Sequence, residues 1–348
     1  MDRGLRRVHA SLLEGGGSIS ATEVGLATAS SATAAAVASS FLLARFQSVR
    51  FLKTTMIGTD IHKLERPIRA EMGGLAVLLG LAIGSSVYLL ADGVGGPLLL
   101  FTGAIATIAF AGLVGVADDL LEVGQRVKPM LIVLASVPLM EALVGRQTIF
   151  IPTIGDLHLG VVYPLVAVPL AITTSANFAN LLAGFNGLEA GCAAISLGTM
   201  SLLAYITSQP VIAVLGLILT GAFVGFLGLN WYPAKIFPGD TGTLIAGASL
   251  AVLGLAAGLE LQAIILSIPA AMDFSLKMMH RRPFKQRHLY GNTSIRPDGT
   301  LEPANYPAVV HAFMKVSPVT ERGLVASVLS MQALYALAAI AATLVFYL

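Results

Sequence analysis

Charge is scarce in this chain. Lys, Arg, Asp and Glu make up 11% of its 348 residues, against about 25% in a soluble domain, too few to clothe a water-facing surface of that size. There is no basic excess either. Its 21 Lys and Arg against 19 Asp and Glu leave a net charge of +2, which excludes a chain built to neutralise a nucleic-acid backbone. The single cysteine, Cys192, excludes an intramolecular disulfide and a cysteine zinc cluster. It lies in an apolar run, where a small buried side chain is the expected role. Residues 1–20 hold Arg3, Arg6 and Arg7 but no long apolar stretch, so no cleaved signal peptide is expected.

What the chain has in quantity is apolar surface: 56% hydrophobic residues and a mean hydropathy of +0.82. A helix needs about 20 apolar residues to cross a bilayer. Ten segments approach that length, near 24–44, 72–91, 97–117, 129–144, 161–182, 187–206, 211–229, 241–259, 261–279 and 323–347. Their richness in Gly, Ala, Ser and Thr suits helices that pack closely without a hydrophobic drive between them. The predicted fold class is an all-α polytopic membrane protein of about ten transmembrane helices. Residues 1–23 form an extramembrane segment, and 24–348 a single domain.

Alternating the loops across the bilayer groups 45–71, 118–128, 177–186, 230–240 and 277–322 on one side. That side holds 17 of the 21 basic residues, so it is predicted to be cytoplasmic, with both termini outside. On the opposite side, Thr148–Leu159 alternates in polarity around Gly155-Asp156 and is expected to form a small external β-hairpin.

Four polar clusters fall on the basic side. Asp118-Asp119 follows the third span, with Lys128 nearby. Carboxylates at a helix C-terminus oppose the dipole and are costly at a membrane boundary. They form either a salt-bridged loop or a metal or phosphate centre. In the segment 177–191, Asn177 and Asn180 share a helix face at i, i+3, while Gly184 and Gly187 allow a tight re-entry that exposes backbone to a ligand. Polar glue between helices is the plain alternative. Around Phe237-Pro-Gly-Asp240, the aspartate is either an N-cap or a ligand for a cation held against phosphate, and Phe237 either packs or stacks on a base. The loop 277–296 carries eight Lys, Arg and His residues, commonly a cytoplasmic anchor. Separate structural roles would not require all four clusters to share a face. Carboxylates, amide oxygens and cations at a membrane face suit a hard metal, magnesium with manganese as the alternative, and a phosphorylated substrate.

These motifs resemble those of the polyprenyl-phosphate N-acetylhexosamine-1-phosphate transferases, from about Gly58 to the last span. The Asn-Trp-Tyr-Pro and Gly-Leu-Glu-Ala-Gly wording is most similar to the dolichyl-phosphate N-acetylglucosamine-1-phosphotransferases of eukaryotes and archaea. The resemblance implies that a polyprenyl phosphate attacks the β-phosphorus of UDP-N-acetylglucosamine, giving polyprenyl-diphosphate-N-acetylglucosamine and UMP. It implies Asn180 and Asp240 as metal ligands, Lys128 and Arg287 on the diphosphate, and Asp118 or Asp119 near the lipid phosphate, with the division between the two aspartates open. Asn186 and Phe237 match positions that contact uracil, and Asp60 and Glu71 match acidic positions of the first cytoplasmic loop. The resemblance also implies Gly184 and His288 as substrate-binding residues. The family's Arg-His-Arg reads Arg287-His288-Leu289 here, and the last loop is short compared with eukaryotic members. The implied setting is an archaeal or bacterial plasma membrane with the site facing the cytoplasm. UDP-N-acetylglucosamine, the lipid phosphate and the membrane are the expected partners, with no nucleic acid; homodimerisation stays open.

Three rival readings make distinct predictions. A relative using another UDP-hexosamine or undecaprenyl phosphate would share the motifs. An intramembrane aspartyl protease on Asp118 and Asp240 would need no metal. A transporter with an ion path through Glu141, Glu189 and Asp273 would show inverted repeats.

Overall fold

The computed structural model describes residues 25–92, 98–124, 126–182, 184–279, 293–304 and 306–347. Within them, α1 (Leu26–Arg50) leads into a hairpin of β1 (Ile57–Thr59) and β2 (Ile68–Ala70). Then come α2 (Gly74–Asp92), α3 (Leu98–Leu121), α4 (Val127–Ala135) and α5 (Val137–Ala142). A second hairpin, β3 (Thr148–Ile151) with β4 (Gly155–His158), precedes α6 (Val168–Asn180), α7 (Leu188–Ile206), α8 (Pro210–Asn230), α9 (Gly239–Ala257) and α10 (Glu260–Met279). The chain closes through β5 (Ser294–Ile295), β6 (Leu301–Glu302), α11 (Val309–Val316) and α12 (Glu321–Phe346).

Eight helices among the described residues are long and apolar enough to cross a membrane. The other two expected spans are helical but built from shorter pieces. The segment expected over 129–144 is interrupted at Ser136, between α4 and α5, just ahead of Pro138. That over 161–182 begins as a π turn, Tyr163–Ala167, before α6. Ten spans are compatible with this arrangement, and the protein is a multi-pass membrane protein. Leu90, Leu134 and Tyr205 stand out from the bundle, each at least 65% exposed. A water-soluble surface would rarely tolerate so much exposed apolar area; lipid does.

Several loop limits differ from the expectation because polar residues continue the helices. Asp118 and Asp119 lie in the last turn of α3, not in a loop, and Asn177 and Asn180 end α6. The first of the loops on the basic side begins after α1 ends at Arg50 and contains β1 and β2. The β3–β4 hairpin has the expected turn, with Ile151 opposite Gly155 and Thr148 opposite His158.

α9 runs through the centre, with every residue from Thr241 to Ala257 buried. Small residues let other backbones reach it. A Cβ on Gly247 would lie 2.2 Å from the Ser175 carbonyl of α6, and one on Gly115 would lie 2.4 Å from Thr241 Cα. The second approach sets the end of α3 against the start of α9, which brings Asp118 and Asp119 to Asp240. Gly247→Ala is therefore expected to force α6 and α9 apart and to cost about 1–3 kcal/mol or more. A clear drop in the thermal midpoint in detergent would report it. Gly145→Ala, where nothing lies within 4 Å of the added carbon, should leave the midpoint unchanged.

Candidate active site

Lys128 is the hub. It starts α4, is 3% exposed, and its ammonium pairs with Asp118 and, at 2.6 Å, with Asp240 Oδ2. Asn180, with its amide oriented to satisfy both neighbours, donates from Nδ2 to Asp240 Oδ1 at 3.0 Å and accepts from Lys128 Nζ at 3.1 Å. Four elements, α3, α4, α6 and α9, thus each contribute one side chain to one point. The buried Asp118 Oδ1 has no hydrogen-bond donor among the described residues.

The two adjacent aspartates do different work. Asp119 Oδ1 accepts from the Asp240 backbone N–H at 2.7 Å, while its Oδ2 accepts from the Thr241 N–H at 3.1 Å and the Thr241 hydroxyl at 2.6 Å. Pro238 precedes α9 and offers it no side-chain cap. Asp119 supplies the cap from another helix, satisfying donors that a helix N-terminus leaves unpaired. Asp240 itself is the second residue of α9 and leaves its carboxylate to the hub, so it is not the cap of its own helix.

Glu71 and Phe237 arrive together because two strips of backbone are zipped. Phe237 N–H donates to the Ala70 carbonyl at 2.9 Å, Gly73 N–H to Phe237 at 2.8 Å, and Gly74 N–H to Pro238 at 2.8 Å. Gly58 faces both side chains: a Cβ there would lie 3.2 Å from Glu71 Oε2 and from Phe237 Cδ2. Burial, then the charges of Asp119 and Asp240, hold the Glu71 carboxyl above the usual carboxylate range. Four carboxylates around one ammonium leave the site strongly anionic when ionised.

A second cluster surrounds Asn186. Its Nδ2 donates to Asp60 Oδ2 at 3.0 Å and its backbone N–H to Glu321 Oε1 at 2.9 Å. Lys63 closes the ring, pairing with Glu321 and, at 3.3 Å, with Asp60. Phe185 stacks on His62 with ring centroids 4.0 Å apart, and Tyr232 lies between Lys63 at 4.2 Å and Arg322 at 4.4 Å. Ligand atoms of the buried Asp60, His62 and Glu321 lie within 4.8 Å of one another, spacing that suits a metal ion. The Lys63 ammonium already bridges the two carboxylates, which favours a salt-bridged scaffold there.

The structure thus brings together Asp118, Asp119, Lys128, Asn180 and Asp240, with Glu71 and Phe237 alongside, and sets Asp60 and Asn186 in the adjoining ring. Gly184 is exposed in the turn between α6 and α7. Asn177 turns back to its own helix, donating to Thr173 O at 2.7 Å. Arg287 and His288 lie outside the described residues. Sequence reasoning missed Lys63, His62, Phe185, Glu321 and Thr241. Three polar residues in four, Asp60, His62 and Lys63, were the available signal for the ring. An apolar cleft lies between α6, α7, α9, α10 and α12, and its lining includes Ala179, next to Asn180, and Thr243, three residues after Asp240. Phe178, Ala179, Leu182, Leu250, Leu266 and Pro269 line it, with Glu189 and Gln332 as polar members.

The profile of the family described as glycosyl transferase family 4 matches residues 101–258, a stretch holding Asp118, Asp119, Lys128, Asn180 and Asp240. The chain is 33% identical over 292 residues, 83% of its own length and 88% of the relative's, to a Saccharolobus solfataricus protein. That protein is provisionally named UDP-N-acetylglucosamine–dolichyl-phosphate N-acetylglucosaminephosphotransferase. A Sulfolobus acidocaldarius protein with the same provisional name is 29% identical over 294 residues, 83% of this chain and 88% of the relative. A phospho-N-acetylmuramoyl-pentapeptide-transferase of Shouchella clausii matches at 30% over 234 residues, 62% of this chain and 71% of the relative. The archaeal matches span more of the chain than this bacterial one, in line with the branch that the motif wording indicated.

Proposed function

The chain belongs to glycosyl transferase family 4, and from that premise we propose that it transfers N-acetylglucosamine-1-phosphate from UDP-N-acetylglucosamine to a polyprenyl phosphate of the dolichyl type. The products are polyprenyl-diphosphate-N-acetylglucosamine and UMP, in the first membrane step of glycan, here N-glycan, assembly. Residues 24–348 act as one transferase domain in the plasma membrane, with the site facing the cytoplasm. The names of the archaeal relatives support the donor and the lipid class. The apolar cleft among α6, α7, α9, α10 and α12, lined by the neighbour of Asn180, supports a lipid-borne acceptor.

The observation that carries the reading is the hub, where one buried ammonium joins carboxylates of two helices beside an amide. With more carboxylates than cations, such a set takes a diphosphate through a divalent cation held between the two. Lys128 neutralises phosphate oxygens, and Phe237 and Asn186 take the uracil. Arg287 and His288, both assigned by resemblance alone, belong to the same substrate site, Arg287 as a second cation. Asp118, whose Oδ1 lacks a donor, lies toward the attacking lipid phosphate, and Asp119 positions Asp240. A phosphate monoester loses its second proton near pH 6, so the nucleophile is largely ionised at neutral pH and needs no strong base. The lipid phosphate oxygen bonds to the β-phosphorus as the bridge to the α-phosphate breaks, exchanging one phosphoanhydride for another. Positioning and charge neutralisation supply most of the rate.

The donors at the hub are all oxygens, with an excess of negative charge and a carboxylate oxygen lacking a partner, which fits magnesium or manganese. Asn180 and Asp240 would hold the ion, and it would screen the charge of the diphosphate. Purified protein in detergent is expected to release UMP only when polyprenyl phosphate, UDP-N-acetylglucosamine and magnesium are all present. Chelation should stop the release, and added magnesium or manganese restore it. Another UDP-hexosamine and undecaprenyl phosphate, the alternative substrates within the family, are the necessary comparison arms. A well-folded protein that releases no UMP with any of these pairs would remove the reading.

A further inference from the structure

Deep in the end of α10 lies an ion pair that the site described above does not use. Asp273 is fully buried and Lys277, one turn later, is 2% exposed. Their charged atoms are 2.5 Å apart. A buried ion pair is weak as a stabiliser, since desolvation consumes most of the attraction. What else each partner contacts is therefore the informative part.

Lys277 reaches across to α6. Its ammonium donates to the Leu181 carbonyl at 2.6 Å, one of the carbonyls that a helix C-terminus leaves without an intrahelical donor. A cation there also complements the helix dipole. Leu181 is the residue directly after Asn180, so this contact fixes the turn that presents the Asn180 amide to the hub. Asp273 reaches the other way. Its Oδ1 accepts from the Val309 N–H at 2.8 Å and caps α11, whose own preceding residue, Ala308, has no side-chain oxygen to do so. Val310 and Met314 of α11 then share one buried apolar cluster with Phe185 and Leu188, the residues on either side of Asn186-Gly187.

We infer that Asp273 and Lys277 form a positioning strut for the transferase site. Through Leu181, Lys277 sets the metal-ligand amide of Asn180. Through α11, Asp273 sets the wall behind the nucleotide contact Asn186. The inference rests on the proposed function for the identity of the two ligands, whereas the strut itself rests on the contacts alone.

Two double variants separate the arms without leaving a lone charge buried. In Asp273→Asn/Lys277→Met, the amide oxygen still accepts from Val309 but the clamp on Leu181 is gone. In Asp273→Leu/Lys277→Met, both contacts are gone. The first is expected to weaken Mn2+ binding, read by electron paramagnetic resonance of the free ion, roughly tenfold, as loss of a ligand's outer partner does. Its KM for UDP-N-acetylglucosamine should stay within about twofold of wild type. The second should show the same loss of Mn2+ affinity, a KM raised roughly tenfold, and faster hydrogen exchange at the amides of Val309–Val316. Wild-type Mn2+ affinity in both doubles would overturn the Lys277 arm. Equal KM values in the two doubles would overturn the Asp273 arm. Because Mn2+ binding and amide exchange need no turnover, an inactive wild type would sink the proposed reaction while still testing the strut.

Discussion

Asp240→Asn is expected to lower lipid-dependent UMP release about 10³-fold or more while leaving the thermal midpoint in detergent close to that of wild type. The substitution keeps the volume of the side chain and an oxygen that still accepts from Lys128, so α9 has no steric reason to move. What disappears is the negative charge that opposes Lys128 and the second carboxylate oxygen, the one facing Asn180. Lys128→Ala should be as damaging to activity and worse for the fold. It leaves buried Asp118 beside Asp240 with no cation between them, and an uncompensated buried charge costs about 3–5 kcal/mol. The pair of variants thus distinguishes lost chemistry from lost structure. A folded Asp240→Asn protein that retained most of its turnover would exclude this carboxylate from the centre.

Asp119 is expected to show the second largest effect, through a different route. Its carboxylate accepts from three donors at the start of α9. An asparagine offers one oxygen and turns an NH2 toward N–H groups that need an acceptor, so Asp119→Asn leaves at least one buried donor unmet at about 1–3 kcal/mol. The first turn of α9 then shifts, carrying Asp240 with it. The expected outcome is a fall in kcat of roughly 100-fold, accompanied by a lower thermal midpoint. Thr241→Val removes only the hydroxyl donor and should cost about tenfold in the same assay. If Asp119→Ala abolished turnover with no change in stability, Asp119 would be acting on the substrate itself and the capping role would be secondary.

The parts legible in the sequence were those that leave a local signature. Apolar runs marked the long helices, and the polarity alternation around Gly155-Asp156 marked the β3–β4 hairpin. Asp118-Asp119, Asn180 and Asp240 stood out because polar residues at membrane boundaries are costly unless used. The division of labour between Asp118 and Asp119 was illegible, because adjacent residues on a helix point about 100° apart and only the partner helix decides which faces what. Gly115, one turn before them, sets that geometry by letting α9 approach. The ring of Asp60, Lys63, Asn186 and Glu321 includes a direct pair, Lys63 with Glu321, 258 positions apart, so no spacing rule could assemble it. Lys277 read as one member of a basic loop; its burial beside Asp273 depends on where α10 ends against α6 and α11. The interruption at Ser136 was masked by the apolar composition on either side, although Pro138 two residues later hinted at it.

The central claim, transfer of a phosphosugar and not of a sugar, is tested most directly by following one atom. Wild-type protein in detergent would be given polyprenyl phosphate, magnesium and UDP-N-acetylglucosamine carrying phosphorus-32 in its β-phosphate. The account predicts that the label moves into the organic phase as a lipid with two phosphates and one N-acetylhexosamine by mass spectrometry, with unlabelled UMP left in the water phase. Label remaining in aqueous UDP while the lipid gains only the sugar would contradict it.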